Sequence, residues 1–253
     1  MNPKEEAKKI VDLIFEELGT AGITRGPVPY VDGRYAIQEM KEKELPSWKE
    51  NEWQGYYLKH LVRELCDEKC PGIESYTEGK NYLVKGEYLW DVRNKTADEE
   101  IPTILFSNQV MNKLLDEFGG IGVIIADSVA YSDENGDFRR WHEELKGGES
   151  EYTKKRKAEG RPPRKMKTAF VIIKVGAYYF TEDDFKKGVA QGWLDRSFQR
   201  NMRQFNGSSR GGKCVVDFTK VPKKNLLFIR NFNYDRDDFA AIYGNPDIYE
   251  PEE

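Results

Sequence analysis

Cysteine and histidine are scarce in this chain, three and two among 253 residues. Cys66, Cys70 and Cys214 cannot all pair with one another, and so few thiols exclude a disulfide-framed fold and suit a reducing compartment. His60, Cys66 and Cys70 match no zinc spacing; the two cysteines fall one helical turn apart, as packing residues do. No apolar run is long enough to span a bilayer. The opening MNPKEEAKKIVDLIFEELG carries acids and no cleavage-site pattern, so neither a signal peptide nor a membrane partner is expected, and the expected location is cytoplasmic.

A uniform positive coat is lacking too, since the formal net charge is −4. The charge is unevenly spread, however. Residues 146–167 hold nine cations against three acids, and residues 195–224 hold eight against two, a local net of +6 in each. The remainder is therefore strongly acidic. A polyanion-binding face on an acidic protein has this segregation. The residues expected to grip a nucleic acid are Lys146, Lys154, Lys155, Arg156, Arg161, Arg164 and Lys165 in the first segment. In the second they are Arg203, Ser208, Ser209, Arg210 and Lys213, in and beside the donor-rich loop NGSSRGGKC. A solvated charge run and a glycine-rich hairpin connection have the same composition.

What the chain does have is a charged fraction of 33% with 13% aromatics, enough burial for a folded domain. Ile10, Val11, Ile14, Phe15 and Leu18 recur at helical spacing over residues 4–18. Residues 20–46 read as a loop-rich connection with one short strand or helix. Ser47 is placed to cap a helix running to about Lys69, with Trp53, Tyr57, Leu61 and Leu65 as its core stripe and Glu52, Gly55, Tyr56 and Lys59 off it. A hairpin over residues 73–95 follows, then a helix over 108–118. Two near-continuous apolar strands, IGVIIADSVAYSD and KTAFVIIKVGAYYF, flank a basic excursion, and Lys174 in the second snorkels or joins a site. The pattern predicts an α/β (α+β) fold with a mixed central sheet flanked by helices.

The stretch YLWDVRNK carries the most chemistry. A strand's two-residue period puts Asp91, Arg93 and Lys95 on one face and Val92 on the other. A carboxylate beside cations at the end of a buried strand can hold a divalent cation and help water attack a phosphodiester. Glu74 and Glu78 precede it in the hairpin, and a turn at residues 78–81 could bring one of them to Asp91. The same residues also describe a strand leaving the core with a weak surface ion pair.

EWQGYYLKHLV on a helix, acids after it, and a hairpin ending in WDVR together resemble the metal-site half of type II restriction endonucleases of the PD-(D/E)XK superfamily. WHEELKGGESEY, RPPRKMKTAF and QFNGSSRGGK extend the likeness loosely over residues 47–222. The resemblance implies a restriction-endonuclease-like single domain over 1–253. Residues 1–46 form an N-terminal helix and arm, 47–135 the metal-site half, 136–224 the DNA-contacting half, and 225–253 a terminal strand and acidic tail. It also implies Mg²⁺ as cofactor, held by Asp91 with Glu74 as the better-spaced first acid and Glu52 as a further one. Duplex DNA bound by a homodimer would be the partner, with the first helix a candidate dimer contact. Arg93 stands where the family places lysine. Arginine stays protonated and cannot be a base, though it can stabilise a phosphate's charge; Lys95 is the alternative.

Three readings result. The first is a Mg²⁺-dependent, sequence-specific DNA endonuclease with Glu74, Asp91, Arg93 and Lys95 as its catalytic group. The second is a nucleic-acid-binding protein without chemistry. The third is a metal-independent enzyme acting on nucleic acid through His142 or tyrosines such as Tyr56 and Tyr178.

Overall fold

The computed structural model describes residues 1–20, 29–79, 81–96, 103–162, 165–200, 202–203, 207–208 and 211–232. Chain order begins with α1 (Pro3–Thr20), β1 (Tyr30–Asp32), α2 (Gly33–Glu42), a 3₁₀ turn Pro46–Lys49, and α3 (Trp53–Lys69). Next come β2 (Glu74–Glu78), β3 (Asn81–Lys85), β4 (Leu89–Thr96), β5 (Thr103–Ser107), α4 (Asn108–Phe118) and β6 (Gly120–Ser132). The chain continues through α5 (Asp137–Leu145), α6 (Glu151–Ala158), β7 (Lys167–Thr181), α7 (Glu182–Gln191), β8 (Leu194–Phe198), β9 (Lys213–Val216) and β10 (Leu226–Asn231). This is a mixed α/β fold whose central sheet is flanked by helices, as the sequence pattern predicts.

The central sheet runs β1-β7-β6-β4-β3-β2, with β10 also paired to β7. The two apolar runs are its centre: β6 and β7 pair antiparallel along almost their whole length. Both faces are covered, which is why neither strand alternates with polar residues. On one face α1, α2 and α3 pack against Trp90, Val92, Ile124, Ala126 and Ile172. On the other, α4, α7 and the small antiparallel sheet β5-β9-β8 cover Leu83, Leu89, Val123, Ile125 and Phe180. β4 is parallel to β6, and α4 makes the crossover between them.

Local signals account for the boundaries. Ser107 accepts from the Val110 N–H to start α4, and Gly119 ends it at φ 68°. Thr181 and Asp184 form a reciprocal capping box on α7. The α3 stripe Trp53, Tyr57, Leu61 and Leu65 is buried as expected.

Two expectations change. Ser47 caps no helix; it lies in the 3₁₀ turn, and α3 starts at Trp53 after a break. Trp48 and Trp53 are both buried, and on one continuous helix residues five apart would face about 140° away from each other. The break lets both indoles reach the core. Residues 29–46 hold both a strand and a ten-residue helix, α2, capped by Asp32, whose side chain accepts from Tyr35 N. These elements, with α1, build the core: Ala7, Ile10, Val11, Ile14 and Leu18 are fully buried. A contact of α1 with a second copy would therefore use its charged face.

Candidate functional site

Asp91 is fully buried in β4, and its carboxylate lies between two cations. Lys59 Nζ donates to Oδ1 at 2.5 Å, and Arg93 Nε donates to Oδ2. Strand alternation puts Asp91 and Arg93 on the face of Leu89, opposite Trp90 and Val92. Arg93 crosses to the small sheet there: it lies over the Phe106 ring at 5.2 Å and donates to the Leu105 carbonyl. Lys59 comes from the other side, on α3. It reaches Asp91 because β3 and β4 pair only at Val84↔Trp90 and Lys85↔Leu89, so the sheet opens from Asp91 onward. Burial pushes the Lys59 ammonium down to about 8; Arg93 pushes it the same way, and Asp91 opposes both.

Further cations stand toward one end of the sheet. Lys95 is half-buried and level with Asp127 in the β4–β6 ladder. Asp127 pairs with Lys174 at 2.6 Å, so Lys174 is a partly exposed ion-pair residue and not a partner of Asp91. At this end Lys167 Nζ donates to Thr96 Oγ1, and Trp53 Nε1 donates to the Lys167 carbonyl at 2.9 Å. Tyr56, one turn before Lys59, is half-buried; burial, Glu50 and Glu52 raise its hydroxyl pKa, and Arg93 opposes them. Glu52 is the residue preceding α3, exposed, at the same end.

The predicted acids do not all converge. Glu74 is exposed in β2; the ladders set it level with Lys85 and then Leu89, a strand apart from β4 and two residues short of Asp91. Glu78 pairs with Lys113 of α4 at 2.6 Å. Among the described residues the side-chain partners of Asp91 are Lys59 and Arg93. Lys59 is the site residue that sequence reading missed. It lies one heptad before buried Cys66, a spacing that places it at the rim of the apolar arc.

His142 is a core histidine. Its Nε2 pairs with the Trp48 carbonyl at 2.8 Å, and burial pushes the imidazole down to about 4. It belongs with Trp48, Phe138 and Trp141, whereas Tyr178 packs in the opposite core beside Phe218. Cys66, Cys70 and Cys214 are buried free thiols, and burial pushes Cys66 and Cys214 up to about 12. His60 groups with Glu39 and Glu64 instead of the cysteines. Lys43 already bridges those two carboxylates at 2.6 Å each.

The basic residues fall in two places. Lys154, Lys155 and Arg156 are on α6, which buries none of its residues; Arg161 and Lys165 follow it, both exposed. Lys146 caps α5 and is half-buried. Arg203 and Ser208 are exposed, and Lys213 is half-buried at the start of β9. Arg164, Ser209 and Arg210 lie outside the described residues. No helix among the described residues is long and apolar enough to cross a membrane. Compared with protein-family models, with curated proteins and with solved structures, the chain has no match.

Proposed function

We propose that this protein is a Mg²⁺-dependent endonuclease acting on duplex DNA, with its reacting centre at Asp91, Lys59 and Arg93. The observation that carries the reading is the carboxylate of Asp91, buried in an opening of the sheet and bracketed by an ammonium and a guanidinium. A buried carboxylate with two cations is costly to build for stability alone, because desolvation offsets most of the Coulomb gain. In this reading Lys59 takes the place that sequence assigned to Arg93 or Lys95: among the described residues it alone is a titratable cation on Asp91.

Mg²⁺ takes oxygen ligands, keeps several waters, and commonly uses one or two protein carboxylates together with substrate phosphate. Asp91 supplies one, so the residues fit a site completed by the substrate. Bound there, the ion would polarise the phosphoryl group and lower the pKa of a coordinated water. The chain's own part is distinct. Lys59 must leave Oδ1 to free the carboxylate, and once displaced its ammonium and the Arg93 guanidinium offer positive charge to the phosphate's oxygens. A homodimer would let two such centres cut both strands of a palindrome.

The test is incubation of unmethylated plasmid and phage DNA with purified protein, in Mg²⁺ and in EDTA, alongside Asp91→Asn. Discrete fragments that require the metal and vanish in the variant, with binding on a native gel retained, are expected. Cleavage by Asp91→Asn, or in EDTA, would sink the proposal. A second reading, DNA binding without chemistry, is favoured by one fact: both oxygens of Asp91 already have cationic partners. Intact DNA in Mg²⁺ with a retained gel shift would select it.

A further inference from the structure

Beside the N-terminus of α3 lies a small pocket whose lining includes Asn51, Arg139, Glu143, Lys146, Thr153 and Arg156. Its composition is three cations to one acid, drawn from α5, α6 and the residue pair before α3. Its donors are poorly used. Arg139 Nε is buried with no hydrogen-bond partner among the described residues. Among the described residues Lys146 Nζ has one hydrogen bond, a long one of 3.4 Å to the Lys49 carbonyl. Arg156, by contrast, is held in place by the Pro162 carbonyl, at 2.8 Å from Nη2 and 3.1 Å from Nε. A buried N–H without an acceptor costs free energy until one arrives, and cations gathered around such a donor select an acceptor that is anionic. The cavity volume is about 30 Å³, room for the oxygens of one small anion.

From this geometry we infer that the pocket is a phosphate-binding subsite in which Arg139 and Lys146 seat one backbone phosphate of a bound DNA strand. The choice of DNA as the phosphate's source rests on the proposed function; the pocket's preference for an oxyanion does not. Lys59 is six residues into α3 from Trp53, and a helix advances about 1.5 Å per residue, so on the order of 9 Å of α3, plus the short turn that carries Asn51, separates the pocket from the Asp91 centre. That is a few nucleotides along a strand at about 3.4 Å of rise each. A phosphate seated there would fix the strand's register relative to the centre without reading a base.

The experiment has two arms on the full chain. In the first, inorganic phosphate is titrated into ¹⁵N-labelled protein while the arginine Nε–H resonances are followed. Arg139 Nε–H should shift saturably in the wild type and stay unmoved in Lys146→Gln. In the second, binding of a short DNA duplex is measured against salt. Lys146→Gln and Arg139→Lys, which keeps the charge and removes the Nε–H, should each weaken binding about fivefold, with the salt slope falling by about 1 for the lysine change. Melting curves of both variants show whether either has lost its fold, and the other then carries the test. A phosphate shift with no DNA binding by the wild type would keep the oxyanion pocket and overturn its assignment to DNA, along with the nuclease reading. Intact cleavage and binding in both folded variants would overturn the subsite and leave the nuclease reading standing. No shift with phosphate and no change with DNA would overturn it entirely.

Discussion

Replacing Lys59 by methionine would leave Asp91 buried with Arg93 as its one remaining side-chain partner among the described residues. Removing one member of a buried ion pair costs on the order of 3 kcal/mol, because the charge left behind is desolvated without compensation. The double variant Lys59→Met/Asp91→Asn should cost less than the sum of the two single changes by about 1–3 kcal/mol. Urea denaturation of the four proteins measures this; strict additivity would mean that the two groups do not interact. His142 gives a second test at this scale. Its folded value is about 4, against 6.5 unperturbed. The unfolded state therefore binds the extra proton first, and stability falls as pH drops from about 6.5 to 4, by roughly 3 kcal/mol in all. His142→Gln, which keeps a donor for the Trp48 carbonyl, should flatten that fall. An equally steep loss in the variant would place the acid sensitivity elsewhere.

At the scale of the element, close packing between strands sets the sharpest constraint. A Cβ on Gly122 of β6 would stand 2.0 Å from the Trp90 ring of β4, its in-register neighbour. The indole cannot retreat, because its Nε1 donates to the buried Glu6 carboxylate at 2.8 Å, which also accepts from Glu87 N and Tyr88 N. Gly122→Ala should destabilise by about 1–3 kcal/mol through overpacking, read as a lower urea midpoint with an unchanged slope. A neutral result would show that Trp90 has another rotamer available. Elements with one dominant local signal were legible in the sequence: α4 from its apolar spacing, and the two apolar strands. The helix over residues 47–69 was misread at its start because Ser47 looks like an N-cap. Only the tertiary demand to bury both Trp48 and Trp53 breaks it. Asp91 and Arg93 were legible from period two. Lys59 was not, since a lysine beside an i, i+4 stripe reads as solvent-facing, and the opening between β3 and β4 that admits it is a register property no local pattern encodes. Glu74 was brought to the site by counting along a hairpin, and the ladder pairs it with Lys85, leaving β3 between it and β4.

Over the whole molecule, the two basic segments need an account that stability does not supply. α6 has eight residues, buries none of them, and carries Lys154, Lys155, Arg156 and Lys157. A helix that short is marginal by itself and has no apolar face to hold it down. Its ion pairs, Lys154 with Glu151 and Lys157 with Glu149, are exposed pairs of the kind that contribute little. Exposed contacts of this kind give folding little hold on these lysines, and an acidic chain gains nothing in solubility by concentrating cations in one place. Under the proposed function a polyanion accounts for them: each lysine that neutralises a phosphate releases counterions, so affinity depends on salt with a slope of about −0.9 per contact. The triple change Lys154→Gln, Lys155→Gln, Lys157→Gln should leave the urea midpoint nearly unmoved. It should reduce the slope of log K against log salt by about 2–3, measured between about 50 and 200 mM with a short DNA duplex. The two observables separate the alternatives. A lower midpoint with an unchanged slope would make α6 a structural element after all. An unchanged slope with an unchanged midpoint would remove α6 from the binding face and leave the lysine- and arginine-bearing segment around β8 and β9 as the surface to test next.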